Sequence, residues 1–567
     1  MNNYRIEKSR DGFDVLVIDD KYINSRFSPT SEANNIIHAG KNLICVFGLG
    51  LGYGLHNILK NNLESIIIVF EPVHEILLQY RQKYINNDLL KNRDVLFLNE
   101  ISSDKIYSYI EDVGFFSDGR IYYYSNLGYK SLYPEKEVEF YTSVKESFNI
   151  ITQNILTESN FIPIWTKNFI FNSSMFEKHP IINPIKHDQN DNIAIIVCAG
   201  PNLVYDLPII KKYREKVTIF AVDTAIKPLV SYNINPDFVI SLDGQFYSFE
   251  DFIKNPDEEI IFIFDVLSYP QAARLNKNIY FTITENIFKN SIIEYFSKKN
   301  NLEEFGIYTG GTVSDYTLSF ALNLGFKNIY FSGLDLSFPD LLTHSKASPY
   351  YEKFMRLQNY FETPETNIIK AISKRKIKDS KSKIKDKKLL SDFVLENYAL
   401  YIDNFVKINK LDNIYNSVYH GLQIDGLKNV DLEILLKDSI SKRVLNKQLM
   451  KSSKDFYFSK ENVNDLYSGL LNDLYNLSLE IKSIMESSDF ETENFILLEH
   501  CKKKLDDSIK NFPFLNKFII MTKIILDKKN ITDKYLLYYK HIFYKMIQSI
   551  YYLIRTIQKS MKLLNFN

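Results

Sequence analysis

Short, continuously apolar runs rich in β-branched residues alternate with helical stretches through the middle of the chain. Ile193–Val197, Thr218–Val222 and Phe238–Leu242 are such runs. They have the character of strands in a parallel sheet covered on both faces. Each ends in a turn or an acid: Ala199-Gly200-Pro201-Asn202, then Asp223-Thr224, then Asp243. Further apolar runs follow at Ile260–Val266, Ile279–Ile283, Gly306–Thr309 and Asn328–Ser332. This alternation predicts a mainly parallel α/β core from Asn192 to about Leu336. Ligands of open α/β sheets bind outside the carboxyl ends of the strands, which makes those three turns candidate contacts. The same residues also serve as ordinary tight turns and helix caps, so geometry alone leaves both roles open. Pro208 interrupts the helix that follows Asn202. Asp206 is expected to re-cap it, which would make Gly200–Asn202 a separate loop.

Upstream, Asp11-Gly12 separates Tyr4–Lys8 from Phe13–Ile18, as in a hairpin. Leu43–Phe47, the glycine run Gly48-Leu49-Gly50-Leu51-Gly52-Tyr53-Gly54, a helix and Ile66–Phe70 ending in Glu71 make a βαβ opening. The dinucleotide fingerprint fails, because Tyr53 or Leu55 stands where its third glycine belongs. Glu71 either holds ribose hydroxyls, as in a methyltransferase-type Rossmann start, or belongs to a scaffold that keeps the turn without a ligand. The scaffold is preferred, since glycine-rich strand–helix turns are common in such folds. The pattern turns irregular from about Asn149 to Asn192, around the lone Trp165, and predicts a linker. After Asp431 it is helical: Val463, Leu466, Leu470, Leu474, Leu477, Ile481 and Ile484 keep three–four spacing, with Ser459 or Asn462 as cap. Three domains are expected: 1–170, a hairpin plus a Rossmann-like domain; 171–430, a central α/β domain; and 431–567, a C-terminal helical bundle.

Composition narrows the classes. The 567 residues carry no net formal charge, with 45% hydrophobic and 24% charged residues. That is ordinary globular composition, with no global field toward nucleic acid or membrane. The three cysteines, Cys45, Cys198 and Cys501, are far apart and imply no disulfide framework. No run reaches the roughly 18 apolar residues of a membrane span, and the start has no signal-peptide core; a cytoplasmic setting without stable membrane insertion is expected. The histidines form no metal-binding spacing, so no metal is expected. Lys370–Lys388 is dense in lysine. It is expected to be a solvated loop or exposed helix, with docking of an acidic partner the minor alternative. Nucleic acid is disfavoured, because no aromatics interleave the charges.

Three more pieces carry candidate chemistry. Tyr308-Thr309-Gly310-Gly311-Thr312 lies between a strand and a helix, where backbone N–H groups can meet an anion and Thr312 can cap. Gly333-Leu334-Asp335-Leu336-Ser337 ends a strand, and the polar loop beyond carries His344, a candidate acid/base group. Ile414-Tyr415-Asn416-Ser417 closes the α/β region.

Together these residues resemble the motility accessory factor (Maf) family of flagellin glycosyltransferases over most of the chain. The matching pieces are Ser25-Arg26-Phe27-Ser28-Pro29 with Glu32-Ala33, Phe47–Tyr53 with Phe70-Glu71-Pro72, Ala199–Leu203, Ala221–Ala225, Pro236–Val239, and Gly333–Leu336 with His344. Their order and spacing carry the resemblance. Cys198 stands where the family usually has Gly, and Asn202 where it has Ser. The resemblance implies a central domain similar to bacterial sialyltransferases. The donor would be a CMP-activated nonulosonic acid of sialic, pseudaminic or legionaminic type, and the acceptor Ser or Thr of flagellin. The expected roles are donor binding by Gly200, Pro201, Asn202, Asp223, Thr224, Asp243, Gly310, Gly311, Thr312 and Asn416. His344 would be the base, and Asp335 would orient it or the loop. CMP leaves readily once its phosphate is hydrogen-bonded, so metal-independent, inverting transfer without a cofactor is expected. Two alternatives are a 6-hydroxymethylpterin pyrophosphokinase-like enzyme, with the same acids serving ATP and Mg²⁺, and a non-enzymatic flagellin-binding chaperone.

Overall fold

The computed structural model describes residues 4–30, 43–61, 65–84, 90, 95–113, 121–183, 189–252, 259–285, 291–297, 302–450, 454–486, 495–528 and 535–566. Glu32-Ala33 lie outside the described residues. The fold is α/β, as expected, but the chain divides into two compact units, not three domains. One comprises Met1–Phe161 with Ser488–Lys502 and Phe518–Lys545. The other comprises Ile162–Ser487 with Lys503–Lys517 and Met546–Asn567. The region expected as a separate bundle is thus shared out.

In the first unit, β1 (Tyr4–Lys8), β2 (Asp14–Ile18) and β3 (Lys21–Tyr22) form the expected antiparallel hairpin sheet. A parallel sheet follows, from β4 (Leu43–Phe47), β5 (Ile66–Phe70), β6 (Val95–Leu98) and β7 (Ile121–Ser125), in the order β6-β5-β4-β7. Every residue of β4 and β5 is buried. The glycine loop after β4 has φ +85° at Gly48 and +87° at Gly52, a region open chiefly to glycine. A Cβ at Gly48 would collide with the Tyr129 ring, and one at Gly52 with the Tyr80 ring. The loop's Leu49 and Gly50 N–H groups both donate to Glu71 Oε2 at 3.0 Å, and Val73 N–H donates to Oε1 at 2.9 Å. Burial pushes the Glu71 carboxyl up to about 7 against those hydrogen bonds. The turn therefore holds its own carboxylate under two tyrosine rings, as a scaffold does.

The second unit is built on one eleven-stranded sheet. In chain order its strands are β8 (Ile181–Asn183), β9 (Gln189–Val197), β10 (Val217–Val222), β11 (Phe238–Ser241), β12 (Ile261–Asp265), β13 (Ile279–Thr284), β14 (Gly306–Ile307) and β15 (Phe326–Ser332). A hairpin outside the sheet, β16 (Ile377–Ser380) with β17 (Leu389–Asp392), precedes β18 (Ile414–Asn416), β19 (Lys428–Asn429) and β20 (Lys454–Phe456). The order is β19-β18-β15-β9-β10-β11-β12-β13-β8-β20, with β14 beside β13. All pairings are parallel except β20 with β8. No position of β10, β11 or β12 is exposed, as a sheet covered on both faces requires. From β9 the chain runs outward through β10–β13 on one side and returns to β15, β18 and β19 on the other. The topological switch point lies between β9 and β15.

Two segments depart from expectation. The first half of the stretch predicted as a linker, Asn149–Asn192, belongs to a single helix, Pro134–Asn172, with Pro163 inside it, and β8 and the start of β9 lie in the rest. Its Asn168 and Asn172, one turn apart, explain the polar content. Asn168 Nδ2 donates to Gly244 O and Leu267 O at 2.8 and 2.9 Å, and Asn172 Nδ2 donates to Val266 O and Ser268 O at 2.9 Å. They tie down the loops beyond β11 and β12. The other segment lies after Asp431. Arg443 Nε donates to Asp237 Oδ1 at 2.8 Å, and Arg214 meets Asp237 Oδ2 at 2.9 Å. The helix Lys460–Met485 starts at the predicted cap Ser459, and its Tyr467 hydroxyl lies 2.5 Å from Ser173 Oγ. Its heptads pack within the chain. Among the described residues, no helix is long and apolar enough to cross a membrane.

Asp237 is fully buried between two guanidinium groups. Asp237→Ala leaves both without their carboxylate and should lower the stability of the large unit by about 3 kcal/mol or more. Urea denaturation reads this as an earlier midpoint.

Candidate active site

At the switch point the β9–β15 ladder continues into the loops. Cys198 N–H donates to Ser332 O at 2.8 Å, and Gly200 N–H donates to Gly333 O at 3.0 Å. The approach excludes side chains. A Cβ at Gly200 would lie 2.6 Å from Asp335 Oδ2, and one at Gly333, whose φ is +71°, would lie 2.5 Å from Cys198 O. Asp335 then reaches back: its Oδ2 accepts from Asn202 N–H at 2.8 Å and its Oδ1 from Asn202 Nδ2 at 2.9 Å. Of the two roles expected for Asp335, these hydrogen bonds serve the loop; none joins it to His344. Burial raises the Asp335 carboxyl, opposed first by the charge of Lys383. Burial also drives the Cys198 thiol far upward, so it is not a thiolate.

The helix after the loop corrects the expectation at Pro208. It runs unbroken from Leu203 to Lys212 with Pro208 inside, and Asn202 is its N-cap residue without a side-chain cap. Asp206 does not cap. It is buried, accepts from Ser332 Oγ at 2.8 Å, and is pushed up by burial to about 7. The Gly200–Asn202 loop therefore leads directly into a helix N-terminus.

The basic insert is also not a solvated loop throughout. Lys383 N–H bonds to Gly421 O at 2.9 Å, Gln423 N–H to Lys381 O at 2.9 Å and Leu422 N–H to Asp335 O at 2.9 Å. These bonds strap the insert across the switch point. Lys383 Nζ donates to Ser417 O at 3.1 Å and more weakly to Ser417 Oγ at 3.4 Å. Burial pushes its ammonium down to about 8, against the attraction of Asp335 and Asp206. Sequence reasoning missed Lys383 because nothing in a run of lysines marks the one that turns inward. The only available signal was the set of glycines opposite: a Cβ at Gly421 would lie 3.0 Å from Lys383 Cε.

His344 lies beside this crevice, since the next residue's N–H donates to Ala199 O at 2.8 Å. Its ring packs on Tyr350 with centroids 4.6 Å apart. Burial, helped by the Arg375 charge, pushes the imidazole down to about 4, so it is neutral at physiological pH. Asn416 ends β18, next to β15, with Oδ1 accepting from Ser417 N–H at 2.8 Å. Buried polar atoms are nearly always paired. Yet His344 Nδ1, Asn416 Nδ2 and His420 Nε2 have no partner among the described residues. His420 is tied in as well, because its carbonyl accepts from Asn202 Nδ2.

Asp223 and Asp243 end neighbouring strands, as predicted. Asp223 accepts from Thr224 N–H at 2.8 Å and Ser241 Oγ at 2.7 Å, and burial raises it to about 6. Asp243 accepts from Gln245 N–H at 2.8 Å and is also raised by burial. Asp251, which sequence reasoning did not single out, is pushed to about 8 by burial and then by the Asp223 charge. Among the described residues no group of three or more His, Cys, Asp or Glu is arranged to hold a metal.

The expectation at Gly310–Thr312 is corrected. Thr312 caps the helix Val313–Asn323 in a capping box with Asp315. Gly311 N–H donates to Thr309 Oγ1 at 3.0 Å, and Thr309 Oγ1 donates to Asp315 Oδ1 at 2.6 Å. Asp315 occupies the place an anion would take, so the turn satisfies itself. It also begins beyond β14, five strands from β9.

Comparisons with known proteins agree with this architecture. Residues 167–341 match the family described as MptE-like, 6-hydroxymethylpterin diphosphokinase MptE-like. The structure is similar to a solved Maf glycosyltransferase from Magnetospirillum magneticum AMB-1, with a TM-score of 0.64 at 12% identity, over 99% of this chain and 93% of that one. The chain thus has the Maf glycosyltransferase fold. Two uncharacterized proteins of Treponema pallidum (strain Nichols) are also similar. One is 29% identical over 121 residues, which are 21% of this chain and 57% of the relative. The other is 23% identical over 208 residues, which are 37% of this chain and 44% of the relative. The chain spans about half the length of these two curated relatives.

Two measurements probe the site's construction. Gly333→Ala forces a side chain into a positive-φ position against Cys198 O and should cost about 2 kcal/mol or more, read from the urea midpoint. The raised carboxyls Asp206, Asp223 and Asp251 hold protons in the folded state that the unfolded chain has released above about pH 4. They therefore make stability fall as pH rises toward about 8. The urea midpoint should be lower at pH 7.5 than at pH 5, and Asp206→Asn should shrink that difference.

Proposed function

We propose that the protein is a glycosyltransferase that moves a nonulosonic acid from a CMP-activated donor to Ser or Thr hydroxyls of flagellin, in support of flagellar assembly. One observation carries the reading: a neutral, half-buried His344 with an unpartnered Nδ1, tied through Ser345 to the Gly200–Asn202 loop at the switch point. The fold shared with the solved Maf glycosyltransferase supports it.

The donor's nucleotide lies along the Gly200–Asn202 loop, with Asp223 and Asp243 at the neighbouring strand ends. Asp335 holds the loop in shape through Asn202. His344 Nδ1 accepts the acceptor hydroxyl proton as its oxygen bonds to the anomeric carbon. The bond from that carbon to the phosphate oxygen breaks, and CMP leaves with the electron pair. Attack opposite the departing CMP makes the transfer inverting.

The match of residues 167–341 to the MptE-like family favours a second reading. In it the same strand-end acids serve ATP in pyrophosphoryl transfer to a hydroxymethylpterin. An ATP-dependent assay on the pterin, run beside a panel of CMP-nonulosonates with the cognate flagellin and intact-mass detection, separates the two.

His344→Ala should lower sugar transfer by about 10²- to 10⁴-fold while leaving CMP binding within a few-fold. Wild-type rates in that variant would remove the base assignment. Because the base is deprotonated above about pH 4, the wild-type rate should show no acid limb attributable to a histidine between pH 5 and 7.

A further inference from the structure

Within this CMP-sugar reading, on which the following rests, the receiver of the donor's phosphate is unassigned. Gly310–Thr312 cannot supply it, since Asp315 and Thr309 already take that turn's hydrogen bonds. The loop's own Asn202 N–H is spent on Asp335.

We propose that Lys383, carried by the strap from the basic insert and packed against the His420-Gly421 turn, is the phosphate-binding residue of the site.

Three independent features converge there. Lys383 Nζ spends two N–H groups on Ser417 O and Oγ, and its third has no partner among the described residues. The backbone of the strap is fixed at Lys383 and two residues before it, by Lys383 N–H to Gly421 O and Gln423 N–H to Lys381 O. Gly421, which leaves room for the Lys383 stem, follows His420, whose buried Nε2 is unpartnered. A helix N-terminus adds a favourable dipole for an anion. Asp335 attracts the lysine electrostatically but accepts no hydrogen bond from it, its oxygens accepting from Asn202 instead.

During transfer the bond between the anomeric carbon and the phosphate oxygen breaks, and the phosphate gains the electron pair as a second negative charge. Lys383 meets that growing charge by a hydrogen bond and keeps its proton, while the acceptor's proton goes to His344. Such preorganised stabilisation of a leaving group acts without a metal ion. The segment that compositional reasoning assigns to solvent would thus deliver a cation to the site.

Isothermal titration with CMP, AMP and cytidine tests this on the full-length protein. Wild type should bind CMP about 10- to 100-fold more tightly than cytidine, as a charged hydrogen bond to phosphate provides. Lys383→Met should bring CMP down to the affinity of cytidine and leave cytidine binding unchanged. If Lys383→Met keeps the full preference for CMP, the assignment of Lys383 is wrong and the donor reading stands. If AMP binds as well as CMP and both depend on Lys383, the phosphate site stands and the cytidine nucleotide reading fails. If wild type binds none of the three, both fail. Should Lys383→Met not fold by circular dichroism, wild type and Lys383→Arg decide. Wild-type preference for CMP should fade as pH rises through about 8, and the arginine variant should retain it. Identical profiles would overturn the proposal.

Discussion

The contact of two backbones at Gly200 and Gly333 governs the large unit. β9 and β15 pair in register up to Val197 and Ser332, and the pairing then continues into the two loops that follow them. Continuing it costs both loops their side chains at the crossing, since a Cβ on either glycine meets backbone or the Asp335 carboxylate. In return, Asp335 comes under Asn202, and the helix starts at Leu203 with no spacer. The strap from the insert closes the other side through Leu422 N–H on Asp335 O. One backbone approach thus positions the loop, the carboxylate, the helix start and the lysine.

The two glycine turns of the chain make an informative pair. Both give backbone N–H groups to a carboxylate from a neighbouring strand end, Glu71 in one unit and Asp335 in the other. In the first unit the tyrosine rings of Tyr80 and Tyr129 fill the space above the glycines. In the second, the surrounding groups are His344, Asn416 and His420, each with a buried atom lacking a partner. The glycine pattern alone does not separate a scaffold from a ligand loop. Nor do unpartnered buried atoms alone, since the Tyr129 hydroxyl and Asn24 Oδ1 beside the first turn lack partners among the described residues too. What differs is that aromatic rings cover the first turn, whereas two imidazoles and an amide surround the second.

Much of the sheet was legible in the sequence, because a strand buried on both faces must be a continuous apolar run. That is how β9–β13 and β15 were found, together with the acids at their ends. What sequence hid was tertiary. The helical part of Asn149–Asn192 read as irregular because its asparagines serve loops far along the chain. Pro208 read as a helix break, yet the helix continues through it. Gly310–Thr312 had the composition of an anion cradle, and three residues on, Asp315 fills it from within. Lys383 differs from its neighbouring lysines only in where the fold sends it.

The burial that holds His344 also shapes what it can do. Desolvation weakens the imidazole as a base, a disadvantage if it had to remove a proton from a resting hydroxyl. In the proposed transfer the hydroxyl bonds to a carbon of oxocarbenium character, and its proton becomes acidic as that bond forms. A weak base in the right place is then sufficient, and it stays unprotonated across the physiological range. Exclusion of water from the same crevice would also protect an activated sugar from hydrolysis. The depressed basicity of His344 and the depressed ammonium of Lys383 follow from one cause, the partial burial of both groups.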